Sequence, residues 1–103
     1  MSPHCDDTEK YKIVDAMIQK FKEFLKNKTK IADEIISEIL TINGVRFILE
    51  NGSWGLIRAS SNKPSLVIVT ESTQSIDEMK AIFSFIDNLL KATGKVGKYD
   101  QKI

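Results

Sequence analysis

Residues 43–59 read NGVRFILENGSWGLIRA, and the two Asn-Gly pairs in it, Asn43-Gly44 and Asn51-Gly52, decide the fold. Asn-Gly flanked by β-branched or aromatic residues is the strongest short-range hairpin signal, because a tight turn between right-twisted strands needs positive φ angles that Asn and Gly tolerate. Reading outward, the pairs divide the middle of the chain into a meander, with strands expected at about 36–42, 45–50, 53–59 and 65–71. Pro64 stands where a strand can begin but not continue, since proline donates nothing to a ladder. Alternation places Val45, Phe47 and Leu49 on one face and is read as placing Ile48 with Ile57 on the other.

Helical periodicity brackets this meander. Val14, Met17, Ile18, Phe21, Phe24 and Leu25 share one face of a helix running from Asp6 to about Leu25, with Asp6 and Glu9 as the expected start. The lysine-rich stretch Lys26–Lys30 fits a basic helix end and a loop. Met79, Ile82, Phe83, Ile86, Leu89 and Leu90 repeat the pattern behind a capping box of Ser75 and Glu78, and Gly94 ends this second helix. The expected order is α-β-β-β-β-α. This is an α+β, two-layer domain whose four-stranded, mainly antiparallel sheet carries both helices on one face. The other face is left for solvent, a ligand or another domain.

The 103 residues, 42% of them apolar, suffice for a single domain spanning 1–103, with 1–5 and 95–103 read as loose termini. The segment MSPHCDD has neither the basic nor the apolar region of a secretory signal and reads as linker, the start of a domain cut from a longer protein. Cys5 is the one cysteine, so no internal disulfide forms, and no apolar run approaches the ~20 residues of a membrane span. A reducing, cytoplasmic setting, no membrane and a monomeric isolated domain are the simplest expectations. With 15 Lys+Arg against 14 Asp+Glu, any attraction for an anion must be local.

Catalytic and metal-binding chemistry is missing. His4 has no partner for base catalysis, Cys5 has no CxxC partner, and Asp6-Asp7 and Asp33-Glu34 read as caps and solvated charge. No GxGxxG, Walker, HExxH or GxSxG pattern occurs. Binding is left as the function, with no catalytic residue and no metal ligand expected in this chain.

The candidate binding segment is Arg58-Ala-Ser-Ser-Asn-Lys-Pro64. A strand ending in Arg58 and followed by Ser60, Ser61, Asn62 and Lys63 offers a guanidinium, hydroxyls, an amide and backbone N–H groups, the donor types that phosphate oxygens accept. On composition alone an ordinary solvated turn explains the same residues.

Preceded by Gly52-Ser-Trp-Gly-Leu-Ile and followed by Leu-Val-Ile-Val-Thr-Glu-Ser, this segment resembles the C-terminal domain of the bacterial phosphohexomutases, the phosphomannomutase/phosphoglucomutase family. There a Gly-x-Trp strand leads into Arg-x-Ser-(Gly or Asn)-Thr-x-Pro, and Asn43-Gly44-Val-Arg-Phe is similar to the family's Asp-Gly-Val-Arg. The resemblance covers about residues 6–92, and the Arg-Ala-Ser version leans toward phosphomannomutase/phosphoglucomutase rather than phosphoglucosamine mutase. It implies a TATA-box-binding-protein-like domain within a four-domain isomerase that moves phosphate between the 1- and 6-hydroxyls of a hexose. A phosphoserine, a Mg²⁺ held by an aspartate loop and a sugar-reading loop would belong to the other domains. Arg58 and Ser60 match the family's phosphate-binding arginine and serine. Ser61 stands at its Gly/Asn position, Asn62 at its threonine and Lys63 where many members have Glu. Trp54 falls at a core or interface position.

A competing expectation is a stand-alone nucleic-acid or protein-interaction module using the open sheet face. Phe47, Trp54, Arg46 and Arg58 would serve an RNA-binding sheet, but near-neutral charge and acidic helix faces oppose it, so no nucleic acid is expected.

Overall fold

The computed structural model describes residues 3–6, 8–41, 44–61, 63–94 and 96–99. Its elements are β1 (Pro3–Cys5), α1 (Lys10–Asn27), β2 (Lys30–Ile31), β3 (Glu34–Leu40), β4 (Val45–Leu49), β5 (Trp54–Ala59), β6 (Leu66–Glu71), α2 (Ile76–Ala92) and β7 (Val96–Tyr99). Strands β2 to β6 form one antiparallel sheet in chain order, and β1 pairs separately with β7. The α+β class stands as expected, with five strands in the main sheet instead of four.

The β4–β5 hairpin shows how Gly52 works. Leu49 donates its N–H to Ser53 O at 2.8 Å and Gly52 donates to Leu49 O at 2.9 Å. Three residues therefore make the loop, closed by Gly52 at φ +92°. Its partner pair at Asn43-Gly44 lies only partly within the described residues, with Gly44 at φ +119°.

The extra strand β2 exists because the chain turns back at Ala32 and Asp33, whose φ angles of 51° and 67° make a tight left-handed turn joining β2 to β3. The termini expected to be loose contribute the β1–β7 ribbon, and Cys5 is buried in the core. Helix α1 starts at Lys10, later than expected. Asp6 accepts from the Thr8 N–H and hydroxyl, and Glu9 occupies the cap position without a side-chain bond. At α2 the cap is half as read. Ser75 Oγ accepts from Glu78 N at 3.0 Å, but the Glu78 carboxylate turns toward Ser53, Ser72 and Asn51 while Ser72 Oγ accepts from Ser75 N.

Both helices cover one sheet face. Phe21 of α1 stacks on Phe47 of β4 with centroids 4.5 Å apart, and Phe24 meets Phe85 of α2 edge-on at 5.5 Å. Gly55 sits opposite Phe47 in the ladder, where a Cβ would lie 2.5 Å from the Phe47 ring and 3.1 Å from Ile86 Cδ1. Glycine there lets the sheet, the ring and α2 close on one another. Val45, Leu49, Ile57, Leu66 and Ile68 complete the inner face. Ile57 pairs directly with Val45 and shares its face, correcting the expectation that it would accompany Ile48.

By alternation along the ladder the outer face carries Arg46, Ile48, Trp54, Leu56, Arg58, Val67 and Val69. Trp54 is therefore not in the core: it pairs with Ile48 and Glu71, and the Arg46 guanidinium lies 4.2 Å from the centre of its ring. Phe47, offered above as a surface aromatic, is fully buried on the inner face.

Candidate functional site

The Arg58–Pro64 segment emerges from β5 and returns as β6, so its ends are fixed by a ladder in which Arg58 faces Val67 and Ala59 faces Leu66. Beyond it, Ser60 N–H donates to Ser65 O at 2.9 Å and Ser65 N–H to Lys63 O at 2.8 Å, which turns the chain back on itself. Cys5 N–H donates to Pro64 O at 2.8 Å, tying β1 to the loop base. Lys10, at the first position of α1, donates its ammonium to Ser60 O at 2.6 Å and to Lys63 O at 3.0 Å.

Arg58 is half-buried and Ser61 exposed, and both line an open cleft of about 510 Å³ between this loop, the β3–β4 connection and α1. Lys63 is exposed on the loop. Ser60 is buried, 7% exposed, and its backbone N–H is engaged by Ser65. Asn62 lies outside the described residues. Of the five expected residues, the structure thus brings Arg58 and Ser61 to one cleft, while Ser60 is buried and is not part of its lining.

Besides Ala59 next to Arg58, the cleft is lined by Tyr11, Val14, Asp15 and Ile18 of α1, with Thr41 and Gly44. The α1 residues precede Arg58 by 40 or more positions, and Thr41 and Gly44 precede it by 17 and 14, separations at which no local motif speaks. Gly44 is needed for the approach: a Cβ on it would overlap Ile57 O and lie 2.8 Å from Arg58 Cβ. Arg58 and Asp15 both contribute to the lining, so the charged residues around the cleft are of opposite sign.

Lys10 had a legible signal that counting lysines conceals. It occupies the helical stripe of Ile13, Val14, Met17 and Phe21 and is 4% exposed. A lysine on an apolar stripe needs acceptors inside the fold, because an unsolvated ammonium is costly without them. The two loop carbonyls are those acceptors, and the Tyr11 ring centre lies 5.3 Å from Nζ.

Two other polar groups deserve placement. Glu78 accepts from Ser53 Oγ, from Ser72 Oγ at 2.6 Å and from Asn51 Nδ2 at 2.8 Å, bonds that hold its carboxyl below the usual carboxylate range. They join the β4–β5 hairpin to the start of α2. Burial, together with Glu9 and Asp6, pushes the Cys5 thiol up, so its nucleophilic thiolate is disfavoured. Among the described residues, no three His, Cys, Asp or Glu side chains come together as a metal site, and no helix is long and apolar enough to cross a membrane.

Residues 5–89 match the C-terminal domain of phosphoglucomutase/phosphomannomutase. A probable phosphoglucosamine mutase of Methanosphaera stadtmanae is 29% identical over 89 residues, covering 84% of this chain and 18% of the relative. A phosphopentomutase of Thermococcus kodakarensis is 30% identical over 94 residues, covering 88% of this chain and 19% of the relative. The chain thus spans under a fifth of the length of either relative, and their two names differ in the sugar.

Proposed function

The chain belongs to the phosphoglucomutase/phosphomannomutase family as its C-terminal domain, and on that premise we propose that it holds the non-reacting phosphate of a phosphosugar. Arg58 supplies charge and direction, while Ser60, Ser61, Asn62 and Lys63 supply further donors. The parent enzyme would be a phosphomannomutase/phosphoglucomutase interconverting hexose 1-phosphate and hexose 6-phosphate through a phosphoserine and a bisphosphorylated sugar. Phosphoserine and Mg²⁺ belong to its other domains, in a cytoplasmic enzyme of carbohydrate metabolism; no step within this chain runs through the metal. The domain alone is inactive on this reading, since the phosphoserine and the metal that the reaction needs would lie in the other domains.

The observation that carries this reading is the convergence of Arg58 and Ser61 on one open cleft, above a loop whose Ser60, Lys63, Pro64 and Ser65 carbonyls are all engaged by donors of the protein. Those four carbonyl dipoles are thereby neutralised from within the protein, which favours an anion at the loop. One arginine–phosphate contact contributes about 1.5–3 kcal/mol, less than the ~4 kcal/mol of a millimolar complex, so the isolated domain binds weakly. In the intact enzyme the same contact orients the sugar and helps close the cleft.

Titration with glucose 1-phosphate, followed by amide NMR shifts, tests this. Shifts concentrated at residues 58–63 and abolished by Arg58→Ala are expected. Shifts spread over the sheet, or unchanged by the substitution, would overturn the assignment. Replacing the ligand with mannose, glucosamine or pentose phosphates then ranks the sugars.

The outer sheet face favours a second role, as the surface that meets the other domains. Leu40 and Val69 are about two-fifths exposed there, 41% and 39%, next to half-buried Ile48, Leu56 and Val67.

A further inference from the structure

An anion-binding loop faces a backbone problem before it faces its ligand. Every peptide that offers an N–H also carries a carbonyl oxygen, and a carbonyl turned toward a phosphate repels it. The carbonyls therefore need donors elsewhere, and in this loop two of them, Ser60 O and Lys63 O, share a single ammonium.

We propose that Lys10 is a positioning residue for phosphate capture, holding the Ser60 and Lys63 carbonyls so that Ser61 stays beside Arg58 at the cleft for an anion. This rests on the phosphate-binding reading above and adds to it a residue from a different element. A compact ammonium with three donors suits two carbonyls that meet at one point, whereas an apolar side chain of similar length satisfies neither. The two acceptors span the loop from its first serine to the residue before Pro64. Losing the ammonium would release both ends at once. The lysine is anchored by its helix, because Ile13, Val14, Met17 and Phe21 on the same stripe fix α1 against the sheet.

The test uses the whole chain with three variants, Lys10→Met, Lys10→Arg and Lys12→Met, titrated with inorganic phosphate and with glucose 1-phosphate. Lys10→Met is expected to weaken both by about tenfold or more, the scale seen when a residue orienting a binding group is removed. Lys10→Arg, which keeps donors for the carbonyls, should recover affinity to within about threefold. Lys12→Met removes the same charge from an exposed position on α1 and should change affinity by no more than about twofold. Without ligand, the Ser60 and Ser65 amides of Lys10→Met should lose hydrogen-exchange protection while β5 and β6 amides keep theirs.

If Lys10→Met stays folded and binds as the wild type does, the positioning role is wrong. Equal losses in Lys10→Met and Lys12→Met would also overturn it, by reducing the effect to charge. Should Lys10→Met fail to fold, Lys10→Ala, which also removes every donor, takes its place, and wild-type affinity in that variant overturns the role. A wild-type chain that binds neither ligand up to about 0.1 M, a range that covers the weak affinity expected of the domain alone, overturns the phosphate-binding reading itself and, with it, this one.

Discussion

Gly44 packs against Arg58 with no room for a side chain: a Cβ there would stand 2.8 Å from Arg58 Cβ and overlap the neighbouring Ile57 carbonyl, at a φ of +119° that favours glycine. Gly44→Ala therefore strains the backbone and pushes on the residue that carries the charge. A loss of about 2 kcal/mol or more of stability is expected, with the Arg58 and Ala59 amides shifting more than those of β6. An urea midpoint equal to the wild type would show that the turn relaxes freely and that Arg58 is not held by it.

This contact shows what the sequence could and could not disclose. The two Asn-Gly pairs and the apolar alternation around them fix strands and a hairpin, because those signals are local. The stripe of Ile82, Phe83, Ile86 and Leu90 behind Ser75 marks α2 for the same reason. Strand β2 escaped because it is two residues long and its turn uses Ala32-Asp33, a pair without a usual turn signature. Arg58 and Ser61 were legible as donors from their types, but Tyr11, Asp15 and Thr41 meet them only through tertiary packing. Lys10 lay between these cases: its place on the stripe was visible, and its partners were not.

The Glu78 carboxylate, bonded by Ser53, Ser72 and Asn51, predicts a pH dependence. Its folded-state pKa is lowered, mainly by Ser53. The associated stability is therefore complete above the unfolded-state value of about 4.3 and disappears as pH falls through the lower folded-state value. Glu78→Gln should destabilise the protein by about 1 kcal/mol at pH 7 through weaker hydrogen bonds. The gap between the two melting temperatures should then close as the pH is lowered past 4.3 toward 2. A gap that stays constant over that range would mean that Glu78 acts through packing and not through its charge.

Asp15 lines the same cleft as Arg58 and opposes an incoming anion. Asp15→Asn keeps the shape and removes that opposition, so inorganic phosphate should bind about two- to threefold more tightly at low salt, with the gain fading above 0.1 M. Isothermal titration at two ionic strengths checks both parts. Weaker binding in the variant would place the anion away from Asp15 and break the link between this cleft and the loop.

The Ala32-Asp33 turn offers a way to stabilise the fold without touching the cleft. Asp33 is exposed, at φ 67°, and precedes β3, where glycine would sit without strain. Two effects of Asp33→Gly compete. Relief of the left-handed conformation contributes about 1 kcal/mol, while the more flexible unfolded chain takes back about 0.4–1 kcal/mol. Aspartate tolerates this region better than most residues, which narrows the gain further. The expected balance is a rise of no more than about 0.5 kcal/mol, seen as a higher urea midpoint with an unchanged slope. A lower midpoint would indicate that the Asp33 side chain itself supports the β2–β3 hairpin.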